Sequence, residues 1–283
     1  MVEDAIADGD RAAHAIVMAA RAHERDRYLT ALLAPKSARQ HLVNLAAFQG
    51  EVARIPLFVT EPMIGEIRLQ WWRDTLSNAA AGLLSGNPIA DALVNTMNST
   101  GLSPGLVAGM IDAQTLALYS DPPSDELALC QNLTKLEGGA LELAAHVLKG
   151  AALAPEEAAF CSEAGVAYGL ARTAVEFAAV TAQGRTLLPA DWLVDAGLTL
   201  GDLSDDAKCS EVAALVGRLA ADADDRARRL RQTPDATPPV RAACRPLAMV
   251  SAYANAVRRH GVDAVRTSVD VLPLTRVWRI WWG

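Results

Sequence analysis

The sequence predicts an all-α, single-domain protein on three observations. Alanine and leucine dominate a chain that is 51% hydrophobic but only 5% aromatic, and both residues lose little side-chain freedom in a helix. Apolar residues recur at helical spacing, whereas the two-residue alternation of strands is nearly absent. Proline, glycine and serine cluster in short intervals between the periodic segments, as connectors in a helical body do. No internal repeat, low-complexity block or sharp composition break divides residues 1–283.

The elements follow in order. Arg11–Leu33 reads as one helix, stopped near Pro35. A second runs from Ser37 to about Arg54, with Leu42, Leu45, Ala46 and Phe48 close to helical spacing, and Pro56 is expected to truncate it. Pro62 and Gly65 open a third, from Glu66 to about Ala81; Gly82, Gly86 and Pro88 punctuate the next junction, and Asp91 starts a further run. Ser103 is placed as an N-cap with Pro104 at the first helical position. After the Ser120–Ser124 loop a long helix is expected over Leu127–Leu148, and Pro155 opens one that runs through Ala182. Residues 206–231 form a charged helix with acid-to-base pairs at Asp222/Arg226, Asp224/Arg228 and Asp225/Arg229. Gln232–Pro239, with three prolines, is a loop; Arg241–His260 is a last long helix, and 270–283 is a Trp/Arg-rich tail.

Composition narrows the function. A net charge of -7 argues against a nucleic-acid partner, which demands a basic surface. Cys130, Cys161, Cys209 and Cys244 lie too far apart for a structural zinc site and read as small core residues in a reducing compartment. Glu142 and His146 share a helix face, but with no third ligand they read as a surface pair. No glycine-rich phosphate loop is present. Early acids (Glu3, Asp4, Asp8, Asp10) speak against a secretory or transit segment, and no apolar run is long enough to span a bilayer. The expected location is cytoplasmic.

Three stretches carry a family resemblance. They are Arg27-Tyr-Leu-Thr-Ala-Leu-Leu-Ala-Pro with Leu45-Ala-Ala-Phe-Gln-Gly-Glu-Val-Ala-Arg; Glu61-Pro-Met-Ile-Gly-Glu-Ile-Arg-Leu-Gln-Trp-Trp-Arg-Asp; and Gly165-Val-Ala-Tyr-Gly-Leu with Gly184-Arg-Thr-Leu-Leu-Pro-Ala-Asp. Their order and separation resemble the squalene/phytoene synthases over about residues 25–280. The tail Leu272-Pro-Leu-Thr-Arg-Val-Trp-Arg is most similar to the respiratory complex I assembly factor six branch of that family.

The resemblance implies the isoprenoid synthase helical bundle. In active members, it implies aspartate pairs on two facing helices that hold magnesium against a prenyl diphosphate. This chain has no aspartate between Asp26 and Asp74, nor between Asp125 and Asp191. Aligned by hand, Ala53 and Arg54 stand where the first pair should be, leaving Glu51 as its only carboxylate. In the second motif Glu176 remains, and Val180 occupies its partner's place. A shift of one helical turn would bring Glu66 or Glu137 in as substitutes.

Most candidates carry more than one reading. Glu51 and Glu176 are remnants of a pocket floor facing one another, or solvated or salt-bridged acids paired with Arg54 and Arg172. Arg185 is an anion ligand or a turn stabiliser. Leu45, Phe48, Leu170 and Phe177 are expected to line a surviving apolar pocket that takes a lipid, isoprenoid or quinone tail. Trp71 and Trp72 should pack between helices while Arg73 and Asp74 pair with neighbours. Trp278, Arg279, Trp281 and Trp282 form a partner-docking hot spot, a peripheral anchor at the inner membrane, or a tail folded onto the core. The expectation is a non-catalytic assembly-type factor. It would have no catalytic or metal-binding residue, no cofactor, and a respiratory-complex subunit or assembly factor as partner. The alternative is a magnesium-dependent prenyl transferase that condenses two prenyl diphosphates head to head.

Overall fold

A computed structural model describes residues 2–80, 83–233 and 236–283, with the side chains of 2–8 and 79–80 left aside. Ala81, Gly82, Pro234 and Asp235 lie outside the described residues. Among the described residues the chain is helical throughout, with no strand. The α-helices are α1 (Val2–His23), α2 (Arg25–Leu32), α3 (Lys36–Phe58), α4 (Pro62–Ala80), α5 (Pro88–Thr100), α6 (Pro104–Ala113), α7 (Glu126–Leu133), α8 (Gly139–Lys149), α9 (Pro155–Thr181), α10 (Ala190–Asp195), α11 (Cys209–Gln232), α12 (Pro238–Ala243), α13 (Leu247–His260) and α14 (Pro273–Trp282).

The predicted starts and stops hold where local chemistry sets them. Gly101 ends α5 in the left-handed region (φ 70°), and Pro104 and Pro155 occupy first-turn positions. Ser103 precedes α6 without a side-chain cap bond. The cap of α5 is Asn87, which accepts from Ile89 N (2.9 Å) and Ala90 N (3.1 Å); Asp91 instead accepts from Ser85 N at 2.8 Å. In α11, Asp222/Arg226 (2.9 Å) and Asp224/Arg228 (3.1 Å) pair as expected, but Asp225 is held by Arg228 (2.7 Å).

Four expectations are corrected. The single helix over Arg11–Leu33 breaks at Glu24 (φ -129°, ψ 56°), where burial of the carboxylate overrides helical continuity. Pro56 does not truncate α3; it sits in the last turn, where buried Ile55 and Pro56 hold the backbone helical to Phe58. The helix over Leu127–Leu148 is two helices joined by one π turn, Thr134–Gly138. Arg241–His260 is split at Cys244-Arg-Pro, because Pro246 cannot extend α12. The tail, to which no element was assigned, is a helix, α14, whose Arg276 and Ile280 are buried against the body.

Two apolar cores form. One centres on α3 and contains Leu42, Phe48, Leu69, Leu93 and Ile111. The other centres on α9, α11 and α13 and contains Leu170, Phe177, Leu219 and Val250. Helix α8 joins them, giving Leu141 to the second and Leu143 to the first. All four cysteines are free thiols, Cys161 and Cys244 buried, Cys130 and Cys209 half-buried. No described helix is long and apolar enough to cross a membrane.

The approach of α9 to the π turn depends on Gly165. A Cβ there would lie 2.1 Å from Gly138 N and 2.4 Å from its Cα, both rigid backbone atoms. Gly165→Ala should therefore lower stability by about 1–3 kcal/mol through overpacking. Chemical denaturation checks this; an unchanged midpoint would show that the two backbones separate freely.

Candidate functional site

Helices α3 and α9, the break at Glu24, the π turn and residues 183–187 enclose a cleft of about 400 Å³. Phe48, Gln49, Ala53 and Leu57 face it from α3; Arg172, Thr173, Glu176 and Val180 face it from α9. Past Phe48, Gln49 and Met110 a small apolar chamber of about 30 Å³ opens, lined by Leu45, Leu42 and Leu141.

A knot of charge forms the floor. Glu24 is 1% exposed and accepts from Arg27 Nη1 at 2.7 Å and Arg172 Nη1 at 2.8 Å. Arg27 also donates to Glu137, whose other oxygen lies 3.6 Å from Arg172. Arg172 is bidentate on Glu176 Oε1, at 3.0 Å from Nε and 2.9 Å from Nη2. Burial pushes the Glu24 carboxyl up, but Arg172 and Arg27 outweigh it and hold it below the usual range. The same acids raise Arg27 and Arg172 despite their burial.

The remaining cleft charges are also engaged. Arg54 bonds Glu51 (3.0 Å) and stacks on the Phe58 ring at 4.6 Å. Arg185 donates to the carbonyls of Ala117 (2.8 Å) and Pro56 and to the Gln183 side chain. It thereby satisfies a carbonyl that the end of α3 leaves without a helical partner. His23 is pushed down by burial and by Arg54, so its ring is neutral at pH 7. By contrast, Gln49 (7% exposed) and Thr173 (8%) have no hydrogen-bond partner among the described residues, and both face the cleft.

The structure brings Arg54, Arg172, Glu176, Arg185 and Phe48 to one cleft, and Leu45 to the chamber behind it. Glu51 is not in that cleft; it lines a separate groove with Arg68, Trp71 and Trp72. Leu170 and Phe177 are packed in the α9 core and line neither cavity, because their face of α9 points toward α11 and α13. Of the substitutes one turn away, Glu137 reaches the cleft, whereas Glu66 does not line it and accepts from the hydroxyl of Tyr119, a lining residue. Glu24, Arg27, Gln49 and Thr173 were not singled out from sequence. Trp72 is buried edge-on against Phe48 (5.2 Å), Arg73 pairs with Asp112 (2.7 Å) and Asp74 accepts from Gln70 (2.7 Å).

On α14, Arg276 points inward and reaches Asp26, while Trp278, Trp281 and Trp282 are 59–70% exposed. Arg279 lines a groove with Trp278 and Trp282.

The acids do not fit a magnesium ion. Magnesium needs hard oxygens free to coordinate it in an octahedron, and here Glu24, Glu137 and Glu176 share Arg172. Among the described residues, no group of three His, Cys, Asp or Glu side chains is arranged to hold a metal.

Comparison with known proteins places this architecture. A squalene/phytoene synthase family model matches residues 20–278. Squalene synthase HpnC from Alicyclobacillus acidocaldarius is similar at 21% identity over 88% of this chain and 94% of that one, with a TM-score of 0.69. A dehydrosqualene synthase solved with ligand is 16% identical over 96% and 95%, with a TM-score of 0.77. YisP from Bacillus subtilis subsp. subtilis strain 168 is 12% identical over 96% of each chain, with a TM-score of 0.70. No curated protein matches the sequence. The structural likenesses carry the helical fold, and the family match over nearly the full length shows that this chain belongs to the squalene/phytoene synthase family.

Proposed function

We propose that this chain is a non-catalytic member of its family, an assembly-type factor for respiratory complex I that keeps an apolar ligand cleft. One observation carries the reading. Arg172 occupies the metal's electrostatic role, neutralising Glu24, Glu137 and Glu176 from within the cleft. A fixed guanidinium cannot be exchanged for a magnesium–diphosphate pair without stranding buried charge.

The tail sequence that resembles the assembly factor six branch forms α14. Its outward tryptophans, with Arg279, have the composition of a protein-docking surface. A respiratory-complex subunit or assembly factor is the proposed partner there, met at the cytoplasmic face of the inner membrane.

The test has two arms. Incubated with magnesium and farnesyl or geranylgeranyl diphosphate, the purified protein should release no diphosphate above a protein-free control. Deleting the gene from its host should lower membrane NADH:quinone oxidoreductase activity, and a Glu176→Ala copy should restore it. Robust turnover that Glu176→Ala abolishes would establish the prenyl transferase instead.

A further inference from the structure

The cleft's unpaired groups are all neutral. Every carboxylate that lines it is held by a guanidinium, and its three guanidiniums, those of Arg54, Arg172 and Arg185, are spent on acids or carbonyls. Of the cleft's neutral polar side chains without a protein hydrogen bond, the two most buried are the amide of Gln49 on α3 and the hydroxyl of Thr173 on α9. Each residue is more than nine-tenths buried, yet its polar atoms stay accessible from the cleft, so they are presented to whatever fills it. Apolar walls surround them, with Phe48, Met110, Leu133 and Leu136, and the small Leu45 chamber shares Phe48, Gln49 and Met110 with the cleft.

We infer that the cleft binds a neutral, oxygen-headed apolar chain, a prenyl alcohol or similarly sized lipid alcohol or carbonyl, recognised at Gln49 and Thr173. The Gln49 amide donates to the head oxygen. The Thr173 hydroxyl accepts the proton of an alcohol or donates to a carbonyl. A diphosphate is disfavoured at the same place. It would lie against three carboxylates faced by only two guanidiniums, Arg27 and Arg172, and the one cleft cation without an acid partner, Arg185, already donates to three oxygens. This inference rests on the non-catalytic reading and adds the ligand class to it.

The experiment titrates the full chain with farnesol, with farnesyl diphosphate alone and with magnesium, and with a C15 alkane. Fluorescence of Trp72, packed against Phe48, reports binding. Farnesol is expected to bind at least tenfold tighter than either diphosphate form. Gln49→Leu, close in volume and apolar, should weaken farnesol about tenfold while leaving the alkane unchanged, as the loss of one buried hydrogen bond does. Thr173→Val is the second variant and should act in the same direction. Equal affinity of wild type and both variants for farnesol would overturn head-group recognition, as would no farnesol binding at all. Tighter binding of farnesyl diphosphate without diphosphate release would overturn this inference and leave the non-catalytic reading intact; with release, both fall.

Discussion

Arg172→Leu should cost about 3–5 kcal/mol of unfolding free energy at neutral pH, the usual penalty for stripping the partner from a buried charge. Two guanidiniums facing three carboxylates become one facing three, and Glu24, at 1% exposure, keeps only Arg27. The sign of the pH dependence follows. In the parent, the Glu24 carboxyl is held below its ordinary value. Its contribution is therefore complete above about pH 4.3 and lost as pH falls through the lowered value. In the variant the largest lowering influence is gone and burial pushes the carboxyl up. The folded variant takes up a proton more readily than the parent, so its deficit should narrow as pH falls toward about 4. Released from Arg172, the acids also become available to a cation. Millimolar magnesium should raise the variant's melting temperature and leave the parent's unchanged. Arg172→Lys should lose less, since it keeps the charge but not the fork that spans Glu24 and Glu176. A pH-independent loss below about 1 kcal/mol would show that the knot is solvated and that Arg172 does not hold the site.

Local signals in the sequence reported what local chemistry controls. Pro104, Pro155 and Gly101 mark helix ends because a missing N–H or a left-handed φ acts within one turn. The breaks at Glu24 and at the π turn had no such signal. Glu24 leaves the helix because Arg172, 148 residues away, offers its charge a partner. The π turn forms where Gly165 and Gly169 let α9 come close to Gly138 and Leu133. The glycines were visible as part of a motif, but the segment they would meet was not. The missing aspartates were legible by counting. Their replacement was not, because Glu24 with Arg27, Glu137 and Arg172 come from three separate stretches of the chain, and only Glu24 and Arg27 are near neighbours in sequence. Gln49 and Thr173 stood in plain view, but an unpaired side chain becomes informative only once its surroundings are known.

The second knot predicts how the tail is held. Asp26, 1% exposed, accepts from Tyr168 Oη at 2.8 Å and Tyr253 Oη at 2.6 Å, and from Arg276. Arg276 also bonds Tyr253 Oη and Asp270, both at 2.7 Å. One carboxylate thus ties α2 to α9, α13 and α14. Burial first, and then Asp26 itself, push both tyrosine hydroxyls up, so they stay protonated donors through the alkaline range. Asp26→Leu should lower stability by about 3–5 kcal/mol, because Arg276 loses its buried partner and two phenols lose their acceptor. Arg276→Leu should cost a similar amount by stranding Asp26. The double variant replaces the pair with apolar groups and should be less destabilised than the two singles summed, by a margin of about 2 kcal/mol or more. In either single variant α14 retains Ile280 as its main buried anchor. Amide exchange over residues 273–282 should then rise while α3 and α9 stay protected. That pattern would mean the tryptophan surface is positioned by Asp26, from 250 residues earlier in the chain. Additive losses, with α14 protected in both singles, would show instead that apolar packing alone seats the helix.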